Sequence, residues 1–136
     1  MNDKVVNIHI KVKYNYRIYR GIGIIILEHR GRIKETHFCT LERTCNRAII
    51  VAAINAFEFL KEPCKVNLYL QTNIGFKFLN NNKNWRNRDL GKQLINVINQ
   101  GNHKVNPIDS SFHDAGKIYQ SSLERRLYRF YDIFSV

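Results

Sequence analysis

A mixed α/β domain is the fold class this sequence predicts. An antiparallel meander of three strands passes through a helical crossover into a parallel part, giving one five-stranded sheet with helices on both faces. Three observations predict it. Apolar and polar residues alternate over residues 6–14, and two further β-rich runs follow across glycine-containing turns. After Thr44 the apolar period changes from two to about 3.6. No Pro-, Gly- or Ser-rich linker and no internal repeat divides the 136 residues, so residues 1–136 read as one domain.

Val6, Ile8, Ile10, Val12 and Tyr14 form the apolar side of the first strand; Asn7, His9, Lys11 and Lys13 form its polar side, where His9 is expected to be solvated. Residues 17–21 read as a turn, and Gly21-Ile22-Gly23 opens a second, β-branched run through Leu27. His29-Arg30-Gly31-Arg32 is a hairpin turn, and a third strand returns over about residues 33–39. Thr44 is placed to cap a helix carrying Ile50, Ala53, Ile54, Phe57 and Leu60, with Pro63 beyond its end. Val66, Leu68 and Leu70 make a short fourth strand ending at Gln71. A short helix is expected over residues 74–79, a longer one on Leu90, Leu94, Ile95 and Ile98 closed by Gly101, and a brief strand over residues 104–108. Leu123, Leu127, Phe130, Tyr131 and Phe134 mark a last helix. The helix between strands three and four makes their connection a parallel, right-handed crossover. Sites in such sheets form at the carboxyl ends of parallel strands where the strand order reverses, and Gln71 stands there.

Twenty-two Lys and Arg against eleven Asp and Glu give a net charge of +11, with a pI near 9.8. The resulting positive field concentrates polyanions, which points to nucleic acid or a nucleoprotein assembly; the alternative is charge serving solubility alone. No apolar run reaches the ~18–20 residues that cross a bilayer, and no helix segregates basic and bulky apolar faces, so no membrane partner is expected. Cys39, Cys45 and Cys64 are odd in number and lack C-x-x-C spacing. With no secretory leader at Met1, that predicts a reducing compartment such as the cytoplasm, with neither a disulfide framework nor a zinc site.

The words Gly21-x-Gly23-x-x-Ile26-Leu27, Arg30-Gly31-Arg32-x-Lys34, Thr44-Cys45-Asn46-Arg47-Ala48, Val51-Ala52-Ala53-Ile54-Asn55-Ala56 and Leu60-Lys61-Glu62-Pro63-Cys64-Lys65-Val66 stand in this order and spacing. The series resembles the type 1 ribonuclease H family, densely over residues 6–78 and thinly afterwards. The resemblance implies the ribonuclease H-like sheet, in strand order 3-2-1-4-5, with Lys11 and Gln71 near one another on adjacent central strands. It also implies a chemistry of clustered acids holding two Mg²⁺ ions about 3.5–4 Å apart on the scissile phosphate. Here the first-strand aspartate position falls on Lys11, the helix glutamate on Ile49 and the aspartate ending strand four on Gln71. Gly116-Lys117-Ile118-Tyr119-Gln120 resembles the segment before the family's last acid, which puts Glu124 in its place and matches His113 to the mobile histidine.

The duplex-binding parts are better kept. Thr44 and Asn46 match two members of the family's Thr-Asn-Asn stretch, with Cys45 between them, and Thr72 and Asn73 stand where a Ser and a Gln touch the duplex. Small polar side chains of this kind suit minor-groove and 2′-hydroxyl readout. A nucleic-acid-binding set follows: Lys11, Lys13, Arg17, Arg20, Thr44, Asn46, Arg47, Gln71, Thr72 and Asn73. Residual catalysis rests on Glu124 and His113. The span over residues 80–88, with Lys83, Trp85, Arg86 and Arg88, is of the short, handle-less type.

The preferred reading is a catalytically degenerate, ribonuclease H-like domain. It binds an RNA–DNA hybrid or RNA duplex, without a cofactor, within a nucleoprotein assembly that includes other protein subunits. Against it stand a rewired metal-dependent ribonuclease, which alone would need Mg²⁺, and a purely structural protein-docking module. Several features are left between two readings. Trp85 is a stacking residue or a helix anchor, and Cys45 a reactive thiol or a passive replacement. Asp109, His113, Asp114 and Glu124 are a metal cluster or separate polar groups. Arg125, Arg126 and Arg129 beside Tyr128 are a second phosphate-binding face or a solvated one. Tyr14-x-Tyr16-x-x-Tyr19 interleaves aromatic and basic residues beside the expected groove, and is read as a contact for nucleic acid or a partner.

Overall fold

A computed structural model describes residues 4–70 and 88–109. The elements follow the expected order: β1 (Lys4–Asn15), β2 (Arg20–His29), β3 (Arg32–Thr40), α1 (Cys45–Glu58), β4 (Cys64–Leu70), α2 (Arg88–Gln100) and β5 (Lys104–Asp109). They build one five-stranded sheet in the order β3-β2-β1-β4-β5. β1 and β2 pair antiparallel, as do β2 and β3, whereas β4 lies parallel to both β1 and β5. The helices expected over residues 74–79 and around Leu123–Phe134 lie outside the described residues. Among those described, no helix is long and apolar enough to cross a membrane.

Local chemistry explains the elements. His29 pairs with Arg32 across a two-residue turn in which Arg30 (φ 49°) and Gly31 (φ 78°) are both left-handed, the geometry that tight hairpins select. Gly23 lies directly under the Phe38 ring: a Cβ there would come within 2.0 Å of it. Part of the Gly-x-Gly word is thus explained by packing of β3 on β2. The Thr44 hydroxyl accepts from the Arg47 amide at 3.1 Å and caps α1 as expected. α1 ends at Glu58, before Leu60 and well short of Pro63, with the Phe59 and Leu60 amides donating to Ala56 and Phe57 carbonyls. Gly101 follows α2 without taking a left-handed conformation; that role falls to Asn102 (φ 54°), while the His103 ring packs where a side chain on Gly101 would be.

The main core lies between the sheet and both described helices. Ile8, Ile10, Leu68 and Leu70 from the central strands meet Ala52, Ala53 and Phe57 of α1 and Leu90, Leu94 and Ile98 of α2. The opposite face of β1 departs from the sequence reading. His9, expected to be solvated, is only 6% exposed and stacks on Tyr69 of β4 at 4.4 Å. Its β2 partner Ile26 and the next residue on that face, Ile24, are also buried. A central strand is flanked on both sides, so a period of two does not guarantee that its polar side meets water.

Burial lowers the His9 pKa to about 4, so the imidazole is neutral at pH 7. Its ordinary value is 6.5, so the unfolded chain takes up a proton that the folded chain refuses. Stability therefore falls as pH drops from about 6.5 to about 4. His9→Phe keeps a ring on Tyr69 and is expected to flatten this part of the profile. Denaturant titrations at pH 7, 5.5 and 4.5 check it; an unchanged acid-side slope in the variant would assign the loss to other groups.

Candidate functional site

The parallel strands β1 and β4 run side by side to the pair Ile10–Leu70, the residues immediately before Lys11 and Gln71. Gln71 itself lies outside the described residues, as do Thr72, Asn73, His113 and Glu124. So do Asp114, Trp85 and its basic neighbours Lys83 and Arg86, and the Arg125, Arg126 and Arg129 face. The register brings β1 and β4 together at the end of the sheet where the sequence reading puts the site.

Lys11 sits half-buried on β1 opposite Ile24 of β2. It is close enough to the first residue of α1 that its charge acts on the Cys45 thiol. Burial is the larger influence and pushes that thiol up, with Lys11 pulling in the opposite direction. The net upward shift keeps Cys45 protonated, which favours the passive replacement over a reactive thiolate. Lys13, Arg17 and Arg20 are exposed along the β1–β2 hairpin, and Thr44 and Asn46 are half-buried at the start of α1.

Ile49 does not join this polar group. It lies one turn beyond Cys45 on the same side of α1, only 3% exposed, inside the helix-side core. Arg47 is held by protein carboxylates. Its Nε donates to Glu42 at 3.1 Å, and its two terminal nitrogens donate to the two oxygens of Asp89 at 3.1 and 2.9 Å. The two-pronged bond to Arg47 holds the Asp89 carboxyl below its usual value. Arg47 thereby ties the β3–α1 connection and the start of α1 to the first turn of α2.

The tyrosine motif is divided by the fold. Tyr14 is half-buried, donates its hydroxyl to the Glu42 carbonyl, and meets Tyr16 edge-on at 4.6 Å. The Tyr16 hydroxyl accepts from the Cys45 amide at 3.4 Å, while the rings of Tyr16 and Tyr19 stay largely exposed. Two arrangements escaped the sequence reading. One is the Arg47 clamp, whose partner Asp89 lies 42 residues away with no local pattern to announce it. The other is a ladder across three strands, in which Asn67 donates to Asn7 at 3.0 Å and accepts from Asn106 at 3.3 Å. Identical residues on neighbouring strands were its only signal. Among the described residues, no three His, Cys, Asp or Glu side chains gather as a metal site.

Comparison with known proteins agrees with this fold. No family model matches the chain. A ribonuclease H of Chelativorans sp. is 44% identical over 48 residues, 35% of this chain and 30% of that protein. One of Legionella pneumophila is 42% identical over 45 residues, 33% of this chain and 32% of that protein. The matches therefore span about a third of these curated relatives. Among solved structures, the N-terminal RNase H domain of a Mycobacterium tuberculosis protein superposes with a TM-score of 0.65 at 10% identity, over 81% of this chain and 86% of that one. RNase H1 of Halobacterium salinarum gives 0.61 at 14% identity over 83% and 89%. LC9-RNase H1, a type 1 enzyme with the type 2 active-site motif, gives 0.63 at 13% over 90% and 71%.

Proposed function

From a chain that has the ribonuclease H fold and shares sequence with ribonuclease H along part of its length, we propose a domain that binds a nucleic-acid duplex without cleaving it. The duplex is an RNA–DNA hybrid or double-stranded RNA, held within a nucleoprotein assembly. The observation that carries this reading is the pair Lys11 and Ile49, a cation on the central strand and a buried aliphatic side chain in the core, at two positions where the family resemblance implies metal-binding acids.

These residues do not fit a pair of Mg²⁺ ions. A hard divalent cation needs carboxylate oxygens from several elements, and Ile49 offers no donor atom. An ammonium at the Lys11 position repels each unit of cationic charge by about 1–4 kcal/mol at about 4 Å. The same ammonium suits a phosphate, which it neutralises directly. Lys13, Arg17 and Arg20 continue the positive charge along the hairpin. The Thr44 hydroxyl, although it accepts from Arg47, still has its own proton to donate to a phosphate or a 2′-hydroxyl. Arg47 serves as a positioning residue, holding Thr44 and Asn46 in register through Glu42 and Asp89.

The purified protein, given a labelled RNA–DNA hybrid with Mg²⁺ or Mn²⁺, is expected to shift the hybrid in a binding assay and release no product. Cleavage that chelator abolishes and Glu124→Gln removes would replace this reading with that of a rewired nuclease, which the shared sequence with ribonuclease H favours. Failure to bind any nucleic acid would leave the docking-module reading.

A further inference from the structure

The tip of the β1–β2 hairpin is built against local turn chemistry. β1 ends at Asn15 and β2 begins at Arg20, so residues 16–19 form the loop. Turns of this kind ordinarily use Gly, Pro, Asn, Asp or Ser. Here Tyr16, Ile18 and Tyr19 occupy it, 59%, 56% and 61% exposed. Tyr19 is also left-handed at φ 51°, a conformation that costs a bulky residue energy. The Asn15 side chain accepts from the Arg17 amide at 2.9 Å, which organises the turn.

The neighbouring corner extends the patch. Gly21 pairs with Thr40 at the end of β3, and the next residue, Leu41, is 76% exposed, the most of any large apolar residue among those described. Arg17 and Arg20 are exposed within and beside the loop, and Arg43, two residues before the Cys45 amide bonded to Tyr16, is exposed as well. Largely exposed flat rings interleaved with guanidinium groups are the chemistry of single-strand recognition: bases stack on the rings while the cations take the phosphates.

We propose that this tip binds unpaired nucleotides running off the end of the duplex held at Lys11 and Thr44, so that the domain prefers a junction of double and single strand. The proposal rests on the duplex reading above and adds a contact made by the rings, which is distinct from Lys11 although Arg17 and Arg20 serve both. An apolar protein partner would suit the rings and Leu41, but the exposed Arg17 and Arg20 interleaved with those rings favour a polyanion.

The test is fluorescence anisotropy with two probes, a blunt RNA–DNA hybrid and the same hybrid carrying a short oligothymidine extension. The extension is expected to tighten binding about tenfold in the natural sequence. Tyr19→Ala, which spares the Tyr16–Cys45 contact, should lose part of that gain and leave the blunt hybrid's affinity unchanged. Adding Tyr16→Ala should abolish the gain, whereas Tyr16→Phe with Tyr19→Phe should keep it. Blunt-hybrid binding with no gain from the extension overturns this inference alone, as does a gain that survives both alanines. Loss of affinity for both probes alike in Tyr19→Ala would make the tip part of the duplex site and also overturn it. No binding of either probe overturns the duplex reading and this inference with it.

Discussion

Ile49→Glu is expected to destabilise the domain by about 3–5 kcal/mol at pH 7, the scale of an uncompensated buried charge. Ile49 is 3% exposed among the apolar residues that join α1 to the sheet. A glutamate there exchanges packed methyl groups for a carboxylate among core residues that, of those described, are all apolar. Ile49→Met, similar in volume, should cost less than about 1.5 kcal/mol, which separates charge from packing. The pH dependence gives a second signature. In the unfolded chain the new carboxyl titrates at about 4.3, and burial raises the folded value well above that. Below the unfolded value both states are protonated and the charge penalty is absent. The penalty opens as pH rises through that value and stops growing above the folded one. Denaturant unfolding of variant and parent at matched pH measures it, with the parent's own His9-linked loss subtracted at each point. A variant as stable as the parent at pH 7 would mean that position 49 faces a polar groove, and the nuclease reading would regain one of its acids.

Lys11→Glu should weaken duplex binding about tenfold or more at moderate salt and lower the log–log salt slope by about 0.9, the share of one neutralised phosphate. The parent's slope should be several units, because Lys13, Arg17 and Arg20 lie exposed beyond Lys11. Lys11→Arg should retain most of the affinity, since charge rather than shape makes the contact. Replacing Arg125, Arg126 and Arg129 should matter less. Anisotropy titrations across a range of salt concentrations give both affinity and slope, and thermal melts confirm that each variant is folded. Binding indifferent to Lys11, with an unchanged slope, would move the interface elsewhere on this basic chain. Combining Lys11→Glu with the tyrosine variants then shows whether duplex and single-strand contacts add, as independent sites should.

The fold was legible because its signals are local. Alternation of Val6, Ile8, Ile10 and Val12, the Arg30-Gly31 turn and the Thr44 cap each act within a few residues, and all agree with one topology. The parallel sense of β4 in the sheet follows from a crossover rule that needs only the order of elements, whereas the register that sets Ile10 beside Leu70 is read from the structure. That Lys11 and Ile49 stand where the family carries acids is implied by the resemblance to ribonuclease H alone, since the chemistry of a residue does not record what it replaces.

Tertiary structure alone decided what surrounds those positions. His9 alternates like a solvated residue, yet the central place of β1 puts it against Tyr69 and strips its water. Arg47 has the composition of a phosphate ligand, but Asp89, distant in sequence, arrives beside it when α2 docks on α1. The three tyrosines look equivalent in sequence; the fold bonds Tyr14 to Glu42 and leaves Tyr19 standing in solvent. Periodicity records which side of a strand or helix a residue occupies. Burial, pKa and the partners of a charge depend on what comes to lie over that side, and this is settled by contacts between residues far apart in the chain.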